Sequence, residues 1–178
     1  DVYFLEKTQP LAAFKAVILP GSKNTRFDLN WIQTSGWAKT LSGYLNSGGH
    51  VLGICGGYQM MVKAVHDPKG LEGQPVSSEG LGLLPIETVL KAPKTTTLTM
   101  FSWNGRPGAG YEIHMGQTTR TGGNPLFQIS ERNHKPSRDE DGCVSGDSKI
   151  MGTYIHGLFD NPAILKSWLE HIGLNGID

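Results

Sequence analysis

Surplus charge is absent from this chain: 16 lysines and arginines balance 16 aspartates and glutamates over 178 residues. That balance offers neither the basic footprint of a nucleic-acid binder nor a basic patch for a membrane surface. Long apolar runs are missing too, and none approaches the roughly 20 residues that cross a bilayer. Asp1, Glu6 and Pro10 stand where a signal peptide would carry a basic start and an apolar core, so none is read there. Cysteine is almost lacking. Cys55 and Cys143 lie far apart and make neither a metal-ligand cluster nor a disulfide framework, so no metal is expected and a reducing cytoplasm is the plain expectation. The phosphate-cradling pattern G-x-x-x-x-G-K-[ST] is also missing. The chain starts at Asp1 rather than methionine and is expected to be part of something longer. Its length suits one domain, 1–178, burying about two-thirds of its unfolded surface.

Glycine, in contrast, is plentiful, and its placement around one cysteine is informative. Residues 51–61 read Val-Leu-Gly-Ile-Cys-Gly-Gly-Tyr-Gln-Met-Met. A short apolar run, a cysteine among glycines and a helical pattern make the signature of a nucleophile elbow. Val51–Ile54 is expected as a buried strand and Tyr58–Val65 as the start of a helix. Gly53 and Gly57 fall where side chains would crowd a sharp turn at Cys55. A helix N-terminus there is expected to lower the thiol pKa. The Gly56 N–H is expected to face a developing oxyanion. A buried structural cysteine beside a glycine-rich turn is the plainer reading of such a residue, and the strand–turn–helix context favours the nucleophile.

Upstream, Ala16–Leu19 reads as a strand ending in Pro20-Gly21-Ser22, a loop signal. Asp28–Ser47 carries helical spacing broken near Gly36, and Gly48-Gly49 stops it. The first third is thus β–loop–α–β–turn–α, the pattern of a parallel sheet flanked by helices. Sites in such sheets gather at the strands' carboxyl ends, where Gly21 and Cys55 fall. Later, Leu83–Leu90, Thr95–Ser102, Tyr111–Thr119 and Leu126–Ile129 read as strands, rich in threonine and apolar residues. Gln128–Gly142 reads as a polar excursion and Lys149–Ile155 as a last strand. A helix over Pro162–Ile172 follows, with Asn161 as N-cap and Gly173 as stop.

A cysteine nucleophile takes a histidine base that is near in space. Of six histidines, His50, His66, His134 and His171 fall at positions suited to ordinary roles. His156 ends a strand directly before Gly157, and His114 lies inside Tyr111–Thr119. Both remain candidates on position, with His156 the better placed.

Five blocks in order then carry a specific likeness. They are Leu19-Pro-Gly-Ser-Lys-Asn-Thr25, Gly53-Ile-Cys-Gly-Gly-Tyr-Gln-Met60, Gly80-Leu-Gly-Leu-Leu-Pro85, Gly110-Tyr-Glu-Ile-His-Met-Gly116 and Gly152-Thr-Tyr-Ile-His-Gly-Leu-Phe-Asp160. Over nearly the whole chain they resemble the glutamine amidotransferase domain of the cobyric acid synthase family. The resemblance implies a class I glutaminase-like α/β fold, a mostly parallel central sheet flanked by helices with antiparallel strands added in the second half. It implies that Cys55 attacks the side-chain amide of glutamine and that His156 serves as acid/base. Gly21 and Gly56 would form the oxyanion hole, Gln59 would contact bound glutamine, and His114 would line its pocket. The family's N-terminal ATP-dependent synthetase domain, with its ATP and Mg, would take the ammonia and amidate a corrinoid acceptor, adenosylcobyrinic acid a,c-diamide, to cobyric acid. No cofactor is implied for this chain itself.

One departure stands out. Common class I glutaminases follow the histidine with Pro-Glu, whereas His156 is followed by Gly157 and Leu158. That leaves a third triad member unassigned, with Glu112 and Asp160 as candidates, or a Cys–His dyad alone. Rival readings are a glutaminase subunit that amidates lipid II, the a,c-diamide synthase of the same pathway, and a non-catalytic module of the same fold.

Overall fold

The computed structural model describes residues 1–176. Strand β1 (Ala16–Leu19) leads through a short loop into helices α1 (Thr25–Thr34) and α2 (Trp37–Asn46), then strand β2 (His50–Ile54) and helix α3 (Gly56–Met60). Six strands follow: β3 (Ala64–Asp67), β4 (Val76–Glu79), β5 (Ile86–Val89), β6 (Thr95–Trp103), β7 (Arg106–His114) and β8 (Gln117–Arg120). The remainder is β9 (Phe127–Arg132), β10 (Lys135–Asp141), β11 (Cys143–Val144), β12 (Ile150–Thr153), β13 (Ile155–His156), a 3₁₀ turn (Leu158–Asp160) and helix α4 (Pro162–His171). Among the described residues, no helix is long and apolar enough to cross a membrane.

The parallel core is narrower than the sequence suggests. Strands β1, β2 and β12 pair in parallel, and β11 closes that sheet antiparallel to β12. A second sheet, β10-β9-β6-β7-β13, is antiparallel throughout. The third, β4-β3-β5-β8, keeps one parallel pair, β3 with β5. Apolar residues collect in two clusters, one holding Leu29, Trp37, Leu41, Val51 and Ile86, the other Leu52, Phe101, Phe127, Met151 and Ile164. Val51 and Leu52 are sequence neighbours, so they point to opposite faces of β2. The parallel sheet therefore lies between the two clusters, as its near-continuous apolar strands require.

Helix α1 begins earlier than Asp28, because its N-terminus is capped twice. Asn24 accepts from the Phe27 N–H at 2.9 Å, and the Glu72 carboxylate accepts from the N–H groups of Thr25 and Arg26 at 3.0 and 2.9 Å. The break near Gly36 stands, at a φ of +90°. The expected helix over Tyr58–Val65 ends at Met60. The carbonyls of Met60, Met61 and Val62, which a longer helix would use, accept instead from the N–H groups of Leu81, Leu83 and Gly82 at 2.8 to 3.0 Å. Val65 is consequently buried by a sheet rather than a helix.

Three later expectations are also corrected. The polar excursion is a hairpin, β9 and β10 joined through Asn133 and His134, both at positive φ, the conformation that a two-residue hairpin turn needs. Tyr111–Thr119 is two strands in different sheets, separated where Gly116 takes a φ of +110°. Asn161 precedes α4 as expected, yet its side chain makes no cap. It bonds both ways with the Ala109 backbone, at 2.8 Å each, and ties the helix to β7.

Candidate active site

Parallel strands end side by side, and this brings the site together. Ile54 at the end of β2 pairs with Thr153 at the end of β12, and the Cys55 N–H donates to the Thr153 carbonyl at 2.8 Å. His156 follows three residues on, in β13. Cys55 takes φ +54° and ψ −110°, a left-handed conformation that costs a side-chain-bearing residue about 1–3 kcal/mol. Its neighbours show what holds it. A Cβ on Gly57 would stand 2.0 Å from the Leu19 carbonyl oxygen, and one on Gly56 2.6 Å from the Ser22 nitrogen. The loop after β1 thus packs directly on the elbow, and residues without side chains are needed there.

Gly21 lies beside both Cys55 and His156. A Cβ there would lie 3.8 Å from the Cys55 Cβ and 3.4 Å from the His156 Cε1. The Cys55 thiol donates to the Ile113 carbonyl at 3.5 Å, while the buried Nε2 of His156 has no partner among the described residues. The His156 ring lies flat against Tyr111, with centroids 5.1 Å apart and planes 8° from parallel.

The electrostatics differ from the sequence expectation. Burial pushes the Cys55 thiol up, against the opposing pull of the Gly56 N–H and the Lys94 charge. Cys55 is only 6% exposed, and α3 has just five residues, so desolvation outweighs the helix end. Burial pushes His156 down, and the charges of His114 and Lys94 act in the same direction. Each group therefore favours its neutral form, giving a resting thiol beside a neutral imidazole.

Gln59 lies within a buried hydrogen-bonded set. Its Oε1 accepts from the Thr25 hydroxyl at 2.8 Å, and its Nε2 donates to the Met115 carbonyl at 2.8 Å and the Tyr154 hydroxyl at 3.2 Å. Buried and so engaged, it braces α1, α3 and the chain after β7. His114 packs flat on Tyr154, with centroids 3.7 Å apart, and its Nε2 lies 3.3 Å from Glu112. Burial would raise Glu112, yet the His114 hydrogen bond, the Arg132 charge and the Thr99 hydroxyl outweigh it and hold the carboxyl below its usual range.

Glu112 therefore serves His114 and Arg132, and no hydrogen bond joins it to His156 among the described residues. Asp160 is exposed, and no such bond links it to His156 either. The other histidines lie elsewhere: His171 bonds to the Ser148 carbonyl at 2.7 Å beside His50, His66 faces Glu87, and His134 is in the hairpin turn. Cys143 is buried on β11, its thiol against the Gly122 carbonyl. Lys94, just before β6, carried no local signal in the sequence; Tyr111 and Ile113 lie in the quoted 110–116 block and meet the site from β7, Tyr111 by pairing with His156 and Ile113 through its carbonyl. Among the described residues, no group of three or more His, Cys, Asp or Glu could hold a metal.

Known proteins resemble this chain in sequence and in fold. A family model described as the CobB/CobQ-like glutamine amidotransferase domain matches residues 1–164. A cobyric acid synthase of Chlorobium phaeobacteroides (strain BS1) is 47% identical over 175 residues, covering 94% of this chain and 34% of that protein. One from Crocosphaera subtropica is 43% identical over 177 residues, covering 97% of this chain and 36% of its own. The chain thus spans about a third of the length of these relatives. Among solved structures, a glutamine amidotransferase superimposes with a TM-score of 0.64 at 20% identity, over 92% of this chain and 82% of that one. PurLQS from Thermotoga maritima gives 0.66 at 14% identity, over 93% and 84%. Likeness at those identities speaks for the fold, and the match over residues 1–164 speaks for the lineage: the chain belongs to the CobB/CobQ-like glutamine amidotransferase domain family.

Proposed function

We propose that this chain is the glutamine-hydrolysing portion of a cobyric acid synthase, with Cys55 as nucleophile and His156 as acid/base. The observation that carries the reading is the space at Gly21, bounded by Cys55 and His156, at an elbow whose strain the packing of the β1 loop sustains. With thiol and imidazole both neutral at rest, the thiol gives its proton to His156 as sulfur attacks the side-chain amide carbon of glutamine. The carbonyl oxygen becomes an oxyanion, and the N–H groups of Gly56 and Gly21 are the donors assigned to it. His156 passes the proton to the leaving nitrogen, ammonia departs and a thioester remains. Water then attacks the thioester with His156 as base, releasing glutamate and restoring the thiol.

The ammonia goes to an N-terminal ATP-dependent synthetase portion, which the stretch 1–178 does not include. That portion would use ATP and Mg to activate carboxylates of adenosylcobyrinic acid a,c-diamide, whose amidation gives cobyric acid. Relatives named cobyric acid synthase, about three times the length matched here, support that assignment.

A glutamine-analogue electrophile tests the chemistry. It should label Cys55 and spare Cys143, and Cys55→Ala should abolish glutamine hydrolysis. Cys143→Ala should keep near wild-type turnover and lose only about 1 kcal/mol of stability through the small cavity left behind. Full turnover by Cys55→Ala would sink the mechanism.

A further inference from the structure

Strands β6 and β7 pair along their length, with Thr96 opposite Ile113, Leu98 opposite Tyr111 and Met100 opposite Ala109. Alternate residues of a strand share a face, so these six stand on one side of the sheet. Thr99, Phe101 and Glu112 stand on the other side, buried. The first side is open: Leu98 is 57% exposed, Tyr111 44%, Met100 41% and Ile113 36%. None of the six is charged. An apolar surface of this kind marks a site of association.

Strand β13 continues the same side. His156 pairs with Tyr111 in register and lies flat on its ring. The Ile113 carbonyl accepts from the Cys55 thiol. The open face therefore borders the site, with Tyr111 stacked on His156 and the Ile113 carbonyl meeting the buried Cys55 thiol.

We infer that this face of β6 and β7 is where the ATP-dependent synthetase portion docks, and that docking holds Tyr111 against His156. The inference rests on the function proposed above. Two observations name the occupant. The chain spans about a third of its relatives' length, so two-thirds of those proteins remain to be placed against it. The open face also adjoins the point where ammonia is released, and ammonia that escapes into neutral water is protonated and loses its nucleophilic lone pair. A consumer of ammonia has to seal that point, and the surface that meets it is apolar and uncovered. Docking there would immobilise the exposed tyrosine ring, which in turn sets the plane of the imidazole.

Leu98→Glu and Met100→Glu test this, since both side chains face solvent and neither touches the reacting groups. Val76→Glu, on β4 in another sheet, is the comparison for a charge placed on an exposed apolar residue. Binding to a separately produced synthetase portion is measured by sedimentation velocity, and the same variants are made in the full-length polypeptide. Both β6 variants should hydrolyse glutamine alone within about twofold of wild type, yet bind the synthetase portion at least about tenfold more weakly and lose its stimulation. Val76→Glu should bind normally. Leu98→Thr, which suits a strand, replaces Leu98→Glu should the charge unfold the chain.

Normal binding by Leu98→Glu and Met100→Glu would overturn the inference. A wild-type homodimer dissolved by Leu98→Glu, with synthetase binding unchanged, would give the face to a second copy and overturn it as well. If wild type bound the synthetase portion but never hydrolysed glutamine, the proposed function would fail while sedimentation still scored the docking face.

Discussion

Burial disfavours the charged forms of both Cys55 and His156. A thiolate–imidazolium pair formed in advance would need a depressed thiol and a raised histidine, and burial moves both the other way. In the absence of glutamine, alkylation of Cys55 by iodoacetamide is therefore expected to rise with pH to a midpoint above 9.0, the ordinary value for the thiol. A midpoint near neutrality would show that the ion pair already exists. Gly21 is the second decisive residue. An added methyl would make ordinary contacts of 3.4 and 3.8 Å with its neighbours, so Gly21→Ala should melt within a few degrees of wild type. On the proposed mechanism it should nonetheless lose about 10²-fold or more in kcat/KM, because a methyl beside Cys55 and His156 would displace the reacting amide by about 1 Å. Wild-type kinetics in this variant would mean that substrate binds elsewhere.

The two candidate histidines separate according to the strands that carry them. His156 sits on β13, paired with Tyr111, and its buried Nε2 is uncommitted. His114 ends β7 and is bound into a buried set with Glu112, Arg132 and Tyr154. His156→Ala should thus lose about 10²–10⁴-fold in kcat, the usual worth of general acid–base help, with little change in melting. His114→Ala should lose about 1–3 kcal/mol of stability, since Glu112 would lose a buried partner. Its kinetic effect is expected mainly in KM. Thermal melts and steady-state rates on both variants check this, and a reversed pattern would reassign the base.

Between the parallel sheet and the antiparallel one lies a buried acid that links stability to pH. Asp141 accepts from the Thr153 hydroxyl and from the Tyr154 N–H. Burial pushes it up to about 6, against the Thr153 hydrogen bond and with the Glu112 charge adding to the rise. A folded-state pKa above the unfolded value means that the protonated form favours folding. The contribution is full below pH 3.8 and is lost as pH rises through about 6. Between pH 5 and pH 8 that amounts to about 1.4 kcal/mol, one pKa unit's worth. Asp141→Asn keeps the acceptor oxygen without the charge. Its stability relative to wild type should improve by about that amount from pH 5 to pH 8, measured by urea unfolding at both. No change in the difference would mean that Asp141 is ionised throughout the range.

Local patterns were enough for the start of the fold and for the turn at Cys55. Four apolar residues, Ala16–Leu19, form a strand as read, and Gly36 divides two helices. Glycines crowd Cys55 because a tight turn requires them, whatever surrounds it. Pairing across long stretches of chain decided the rest. Met60–Val62 could have continued a helix until the 81–84 segment took their carbonyls, and Tyr58–Val65 was misread for that reason. The polar residues after Ile129 conceal a hairpin because β10 is largely solvated on both faces until Asp141, which removes there the alternation that β9 keeps at Phe127 and Ile129. Gln59 stands out in the sequence only by its motif, and its bracing of three segments is visible only where Thr25, Met115 and Tyr154 converge on it. The thiol pKa reversed for a related reason. A helix end is visible in sequence, whereas the degree of burial that overrides it exists only once distant strands have packed around the sulfur.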